Sequence, residues 1–183
     1  MNEPDLARRS FLFGLGGLGI CQALPPAGVE VQDTAGRVNV LGTNEGEHLI
    51  HYRDRGNIFI KLSAANGADH FAVGTQQVMA GGGIPVHRHL EMEEAFYVLQ
   101  GGGNFILNDE RHSFGKGATI LIPRNTWHGF ENPNDELLLL WIVSPAGLDG
   151  FFRETCSPPG VTPKQLTPGQ IKEIAGKYGT EFR

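Results

Sequence analysis

Between residues 41 and 143 the chain is cut into short apolar runs, each closed by glycine, proline, asparagine or aspartate. Runs this short leave no room for long helices. They predict an all-β domain, with strands over 48–52, 58–62, 71–74, 95–99, 104–107 and 118–122. Residues 76–80 lead into a glycine turn at 81–83, and Asn66-Gly67 closes the second run. Asn108-Asp109 and Gly115-Lys116-Gly117 each read as hairpin turns. The run 137–143 is almost continuously apolar and lies between Pro133 and Pro145, which suits a strand buried on both faces. The 26 glycines and 11 prolines show no collagen-like period and fit a sandwich or small barrel rich in tight turns. No internal repeat is visible, so one such domain is expected.

Within this β region, His87 and His89 stand two apart. On a strand that spacing points both imidazoles to one face. Glu94 can reach the same point after a short turn, and His128 can join from a second strand. Imidazole is the commonest side-chain metal ligand, and a nearby carboxylate favours divalent ions over copper(I). A metal centre is the simplest reason to gather these groups. His48, His51, His70 and His112 lack such company and read as surface or satisfied core residues.

The spacing of these residues resembles the cupin family. The first cupin motif appears as Gly81, His87, His89, Glu94 and Gly101, and the second as Gly117, Pro123, His128 and Asn132. Asn125 stands where the second motif has glycine, and asparagine tolerates the left-handed conformation that such a turn needs. The resemblance implies a single cupin (double-stranded β-helix, or jelly-roll) barrel. It also implies that His87, His89, Glu94 and His128 ligate one divalent transition metal. Glu93 competes with Glu94 for the carboxylate position; Glu94 keeps Gly101 in register. Three nitrogens and one oxygen are compatible with iron, manganese, nickel, cobalt, copper or zinc.

Four protein ligands leave a coordination position open for a small-molecule substrate. Strand parity puts Phe96 and Val98 on the inward face with Glu94. Met79, Phe105, Trp127, Phe130 and Trp141 are further candidates for an apolar wall, although most aromatics in a small barrel simply fill the core. Resemblance to quercetin dioxygenases implies a metal-dependent dioxygenase acting on a small aromatic or enolisable substrate, with Glu94 as general base. The alternatives are a non-catalytic module that binds a small ligand or metal, and a small-acid decarboxylase or isomerase. The last calls for a cation in the pocket; Arg88 and Arg111 lie nearest in sequence and are expected to face solvent.

The N-terminal segment Arg8-Arg9-Ser10-Phe11-Leu12, followed by an apolar glycine-rich stretch, resembles a twin-arginine export signal. The expected organisation is a signal over 1–27, a β-barrel domain over 28–150 beginning with an exposed connector to Asn39, and a helical tail over 151–183 packed on the barrel. Export to the periplasm follows, with no membrane span in the mature protein. Folding before export would let a weakly held ion be trapped ahead of copper and zinc. In the tail, 148–155 reads as a short helix. Thr167, Pro168 and Gln170 spell an N-cap, a proline at the first helical position and a capping-box partner. Ile171, Ile174, Ala175 and Tyr178 form one apolar stripe, and Gly179 ends the helix.

A net charge of −5 without a basic stripe argues against nucleic acid as a partner. Cys21 and Cys156 cannot build a disulfide framework or a thiol zinc site. A homodimer is expected by family analogy.

Overall fold

The computed structural model describes residues 39–132 and 134–183. The twin-arginine segment, Cys21 and most of the 27–39 connector lie outside them.

The strands form two antiparallel sheets. The first holds six strands: β1 (Glu47–Ile50), β2 (Asn57–Leu62), β3 (Ala72–Val78), β10 (Leu137–Ser144), β5 (Glu93–Gln100) and β8 (Thr119–Ile122), in that spatial order. The second holds five, in the order β11 (Thr180–Phe182), β4 (Gly82–His89), β9 (His128–Asn132), β6 (Gly102–Leu107) and β7 (Glu110–Gly115). Their inward faces share one apolar core, as the all-β jelly-roll expectation requires.

Local sequence explains the main turns. Asn108 and Asp109 both take positive φ, 46° and 75°, which gives the β6–β7 hairpin the twist its strands need. Asn125 also sits at positive φ, 60°, so asparagine does keep the left-handed turn. The turn at 115–117 is different. It carries the chain from β7 in one sheet to β8 in the other, because β8 pairs with β5 and not with β7. It is a crossover, and the expected hairpin there is corrected.

β10 also departs from expectation. Leu137, Leu139, Trp141 and Val143 are buried, but Ile142 on the opposite face is 40% exposed. The strand is central in its sheet, yet only one face is covered among the described residues. Inside, Trp141 packs across Gly74, where any Cβ would collide with the indole ring and with the Phe59 carbonyl.

Two helices follow the barrel strands, α1 (Leu148–Thr155) and α2 (Pro168–Lys177). The α2 start is capped as expected, with Gln170 N–H donating to Thr167 Oγ1 at 3.3 Å and Thr167 N–H donating to Gln170 Oε1 at 2.9 Å. Ile171 and Ala175 are buried in the common core together with Phe151 and Phe152 of α1. Gly179, at φ 62°, then reverses the chain. The last residues do more than cover the barrel: β11 pairs antiparallel with β4, aligning Thr180 with His89 and Phe182 with His87.

Candidate metal centre

The centre is built where the two sheets face each other. His87 and His89 come from β4, and His128 stands directly opposite His87 on β9. Glu94 comes from β5 in the facing sheet. Residues 90–92 are all that separates β4 from β5, so the chain crosses between sheets in one short step and brings Glu94 over the imidazoles. Alternation then decides between the two glutamates. Glu94 is 3% exposed, whereas Glu93 points outward beside Arg124, at 3.8 Å.

Each imidazole is oriented from behind. A register shift in the β4–β9 pairing between Ile84 and His87 accommodates Pro85, which has no N–H to offer the ladder. The Pro85 carbonyl accepts from His87 Nδ1 at 2.9 Å, and the Thr126 carbonyl accepts from His128 Nδ1 at 2.9 Å. A carbonyl can only accept, so both Nδ1 atoms carry hydrogen. In the neutral ring that leaves Nε2 as a lone pair aimed inward. His89 Nδ1 lies 2.8 Å from Thr180 Oγ1, so the tail holds the third ring.

Glu94 Oε2 lies 3.2 Å from Nε2 of His89 and 3.2 Å from Nε2 of His128. A carboxylate oxygen and an imidazole lone pair repel at this distance unless a proton or a cation sits between them. The donor set therefore suits a cation. Donors about 2.1 Å from one ion lie roughly 3.0–3.4 Å apart when adjacent and about 4.2 Å apart when opposite. The four donor atoms here all lie within 4.8 Å of one another. Movements of a few tenths of an ångström (about the slack in a side-chain rotamer) close the coordination sphere. The chemistry of the set, three nitrogens and one oxygen, fits a divalent transition metal.

The electrostatics agree. Burial, with help from His128 and His89, pushes the His87 pKa well below its ordinary value, so the ring stays neutral and able to ligate. For Glu94, burial alone would raise the pKa, but hydrogen bonds from His128 and His89, which put a proton on the facing Nε2 where no cation is held, override that and keep the carboxyl far below the usual range. His51 is not part of the centre. It is buried and satisfied, with Nδ1 2.8 Å from Asp54 Oδ1, and burial lowers its pKa too.

His87, His89 and Glu94 open onto a cavity of about 40 Å³, also lined by Phe96, Phe151, Phe152, Phe182, Tyr52, Arg53 and Gln76. Of the expected wall residues, only Phe96 reaches it. Val98, Phe105, Phe130 and Trp141 are buried in the core, with Phe105 stacked on His128 at 6.3 Å and Phe130 edge-on to Phe96 at 6.3 Å. Met79 does not belong to the wall: it follows the end of β3, where strand alternation no longer applies, and is 40% exposed. Trp127 does not either. It precedes inward-facing His128 and so points the other way, beneath the guanidinium groups of Arg88 and Arg183 at 4.6 and 4.8 Å. The aromatic wall is supplied instead by α1 and β11. The cation beside the cavity is Arg53, not Arg88, which pairs with Glu181, or Arg111, which pairs with Glu131. In α1 the wall is formed by Leu148, Phe151 and Phe152; nothing in the sequence singles out Arg53.

Comparisons with known proteins point to the same architecture. Residues 74–144, which contain all four candidate ligands, match the Cupin domain family. This match supports a single cupin domain in that stretch. An uncharacterized protein of Methanocaldococcus jannaschii is 38% identical over 65 residues, covering 32% of this chain and 52% of that protein. The chain thus spans about half the length of that curated relative. Among solved structures, the polyketide cyclase RemF from Streptomyces resistomycificus is similar at TM-score 0.53 and 23% identity, over 74% of this chain and 92% of that one. A predicted oxalate decarboxylase from Thermotoga maritima is similar at TM-score 0.51 and 21% identity, over 58% of this chain and 99% of that one. At these identities the likeness concerns the fold. No helix among the described residues is long and apolar enough to cross a membrane.

Acid is expected to destabilise the metal-stripped protein in two stages. His51 and His87 have folded pKa values below the ordinary 6.5. Below that pH the unfolded chain takes up protons that the folded chain refuses, so stability falls as pH drops. Glu94 adds a second loss below its ordinary 4.5, because it stays ionised in the fold. Urea midpoints measured from pH 8 to pH 4 in the presence of a chelator check this. A midpoint that stays level down to pH 5 contradicts the first stage.

Proposed function

We propose that the chain is a metal-dependent dioxygenase acting on a small enolisable substrate. The observation that carries this reading is a buried His87–His89–Glu94–His128 cluster opening onto an aromatic-walled cavity. A divalent transition metal held there supplies Lewis acidity and, if redox-active, electron exchange with dioxygen. The chain's own contribution is to orient the substrate and to move one proton. Both imidazole contacts to Glu94 fall on Oε2, and Oε1 has no hydrogen-bond partner among the described residues. One carboxylate oxygen can therefore serve the ion while the other accepts the substrate's proton. Phe96, Phe151, Phe152 and Phe182 exclude water from that transfer. A water needs roughly 10–15 Å³ of such space, so the cavity admits only a few non-hydrogen atoms. That favours a compact enolisable compound over a flavonol.

Glu94→Gln tests the proton step. Oxygen uptake with a panel of small diketones, catechols and oxo acids is expected to fall about 10²- to 10⁴-fold, the usual contribution of a positioned base. Elemental analysis should still find much of the metal, held by the three histidines. Unchanged turnover in this variant refutes the assigned base. Arg53 at the cavity favours a second reading, a decarboxylase or isomerase on a small acid. Carbon dioxide release or isomer formation without oxygen uptake would identify it. Metal retention with no turnover on any of the panel would leave a binding module.

The twin-arginine-like segment supports export, and folded transport would let manganese or iron be retained; native exported protein loaded with copper or zinc counts against that. The partly uncovered row formed by Val73, Ile142, Ala95 and Leu121, aligned across β3, β10, β5 and β8, supports a homodimer through this sheet. Sedimentation that gives a monomer at micromolar concentration removes it.

A further inference from the structure

We infer that Arg53 and Gln76 form a carboxylate subsite in the metal cavity, so that the substrate is a small organic acid. The inference rests on the reading of this cavity as the substrate site, and it deepens that reading by naming the substrate class. Gln76, on β3, is 2% exposed, and its Nε2 has no hydrogen-bond partner. Arg53 Nη2 is likewise buried and unpartnered. Both residues line the cavity that contains His87, His89 and Glu94. Buried donors without acceptors are rare because their desolvation is uncompensated. Two in one cavity, one of them cationic, call for an acceptor that arrives with the ligand. A carboxylate meets that need, since a guanidinium fork and an amide N–H can bind its oxygens together.

The loop that carries Arg53 is fixed in advance. His51 N–H donates to the Gly56 carbonyl at 2.9 Å, and Arg55 N–H donates to the His51 carbonyl at 3.2 Å. Asp54 Oδ1 is occupied by His51 Nδ1 at 2.8 Å and by Gly56 N–H at 3.3 Å. Asp54 thereby balances charge within the loop without a hydrogen bond to Arg53, and its own Oδ2 is unpartnered. The loop is joined to the end of α1 by paired hydrogen bonds between Ile50 and Ser157, at 2.7 and 3.2 Å. Arg53 and Ile84 also line an open groove of about 540 Å³ on the outside of the domain. The guanidinium therefore stands where groove and cavity meet, with Phe96, Phe151 and Phe152 to receive the apolar body of the acid.

The test is calorimetric binding to the full chain loaded with nickel(II), under argon. The probes are propanoate, but-2-enoate and 2-oxobutanoate, each paired with its amide. Wild type is expected to prefer each acid over its amide by roughly 10- to 100-fold, the range for hydrogen bonds to a charged group. Arg53→Gln should bring the two within about threefold, the acids weakening more than the amides, while metal content stays unchanged. Arg53→Lys, which keeps the charge but not the fork, should retain part of the preference. Gln76→Leu should weaken the acids about tenfold. Equal binding of acids and amides by wild type, a preserved preference in Arg53→Gln, or no binding of any acid at millimolar concentration each overturns the inference. Acid binding with no oxygen uptake keeps this subsite and removes the dioxygenase reading. Oxygen uptake on neutral substrates alone does the reverse.

Discussion

His128→Ala is expected to lose metal altogether at micromolar concentration. The loss should exceed the ~10- to 100-fold that outer hydrogen-bond partners of a metal site contribute. Three features make His128 the ligand least replaceable. It is the sole candidate ligand on β9, so no neighbouring side chain can swing in. Its ring is 1% exposed, so water has no easy route to the freed position. Its Nε2 also lies 3.2 Å from Glu94 Oε2, and removing it leaves the buried carboxylate with His89 alone as partner at that distance. Cobalt(II) titration followed by its visible absorption, with equilibrium dialysis against zinc(II), measures the effect. A variant that holds either ion as tightly as wild type would show that the four groups do not share one ion, and the proposed enzyme would fall with them.

The four groups could be picked out in sequence because their spacing carries geometry. A two-residue step on a strand puts His87 and His89 on one face, and the same parity brings Phe96 and Val98 inward with Glu94. Turn chemistry was equally readable: Asn108-Asp109, Asn125 and Gly179 all adopt the backbone conformations their residue types favour. Sheet membership was not. Nothing local distinguishes a hairpin glycine turn from a crossover, so 115–117 does not announce its change of sheet, and in β7 residues 110–113 are polar and exposed, with Phe114 its one apolar side chain. Burial of β10 failed for a related reason. An apolar run shows that a strand can be buried on both faces, while what covers the outer face is decided elsewhere. The cavity wall is not legible in the sequence. Phe151, Phe152 and Phe182 lie far along the chain from the motifs, and only the path of the tail brings them to the metal ligands. Arg53 and Gln76 escaped for the same reason, since a buried donor without a partner is visible only once the atoms around it are placed.

Deleting residues 180–183 is expected to damage the metal centre although none of them is a candidate ligand. β11 completes the edge of the five-stranded sheet beside β4, the strand that carries two of the imidazoles. Thr180 is 4% exposed, and its Oγ1 is the only protein partner of His89 Nδ1 at 2.8 Å among the described residues. Phe182 lies against His87, with ring centroids 5.4 Å apart, and closes the cavity from that side. Without these residues His89 can rotate, water reaches the centre, and β4 becomes an open edge. Metal affinity should fall by more than ~100-fold, whereas Thr180→Val, which removes only the hydroxyl and keeps the strand, should cost roughly 10- to 100-fold. The two variants separate orientation from shielding. If Thr180→Val matches wild type while the truncation fails, His89 needs cover and not a hydrogen-bond partner. If both bind cobalt(II) with wild-type affinity and an unchanged visible spectrum, the tail is a passive strap and the centre is held by the barrel alone.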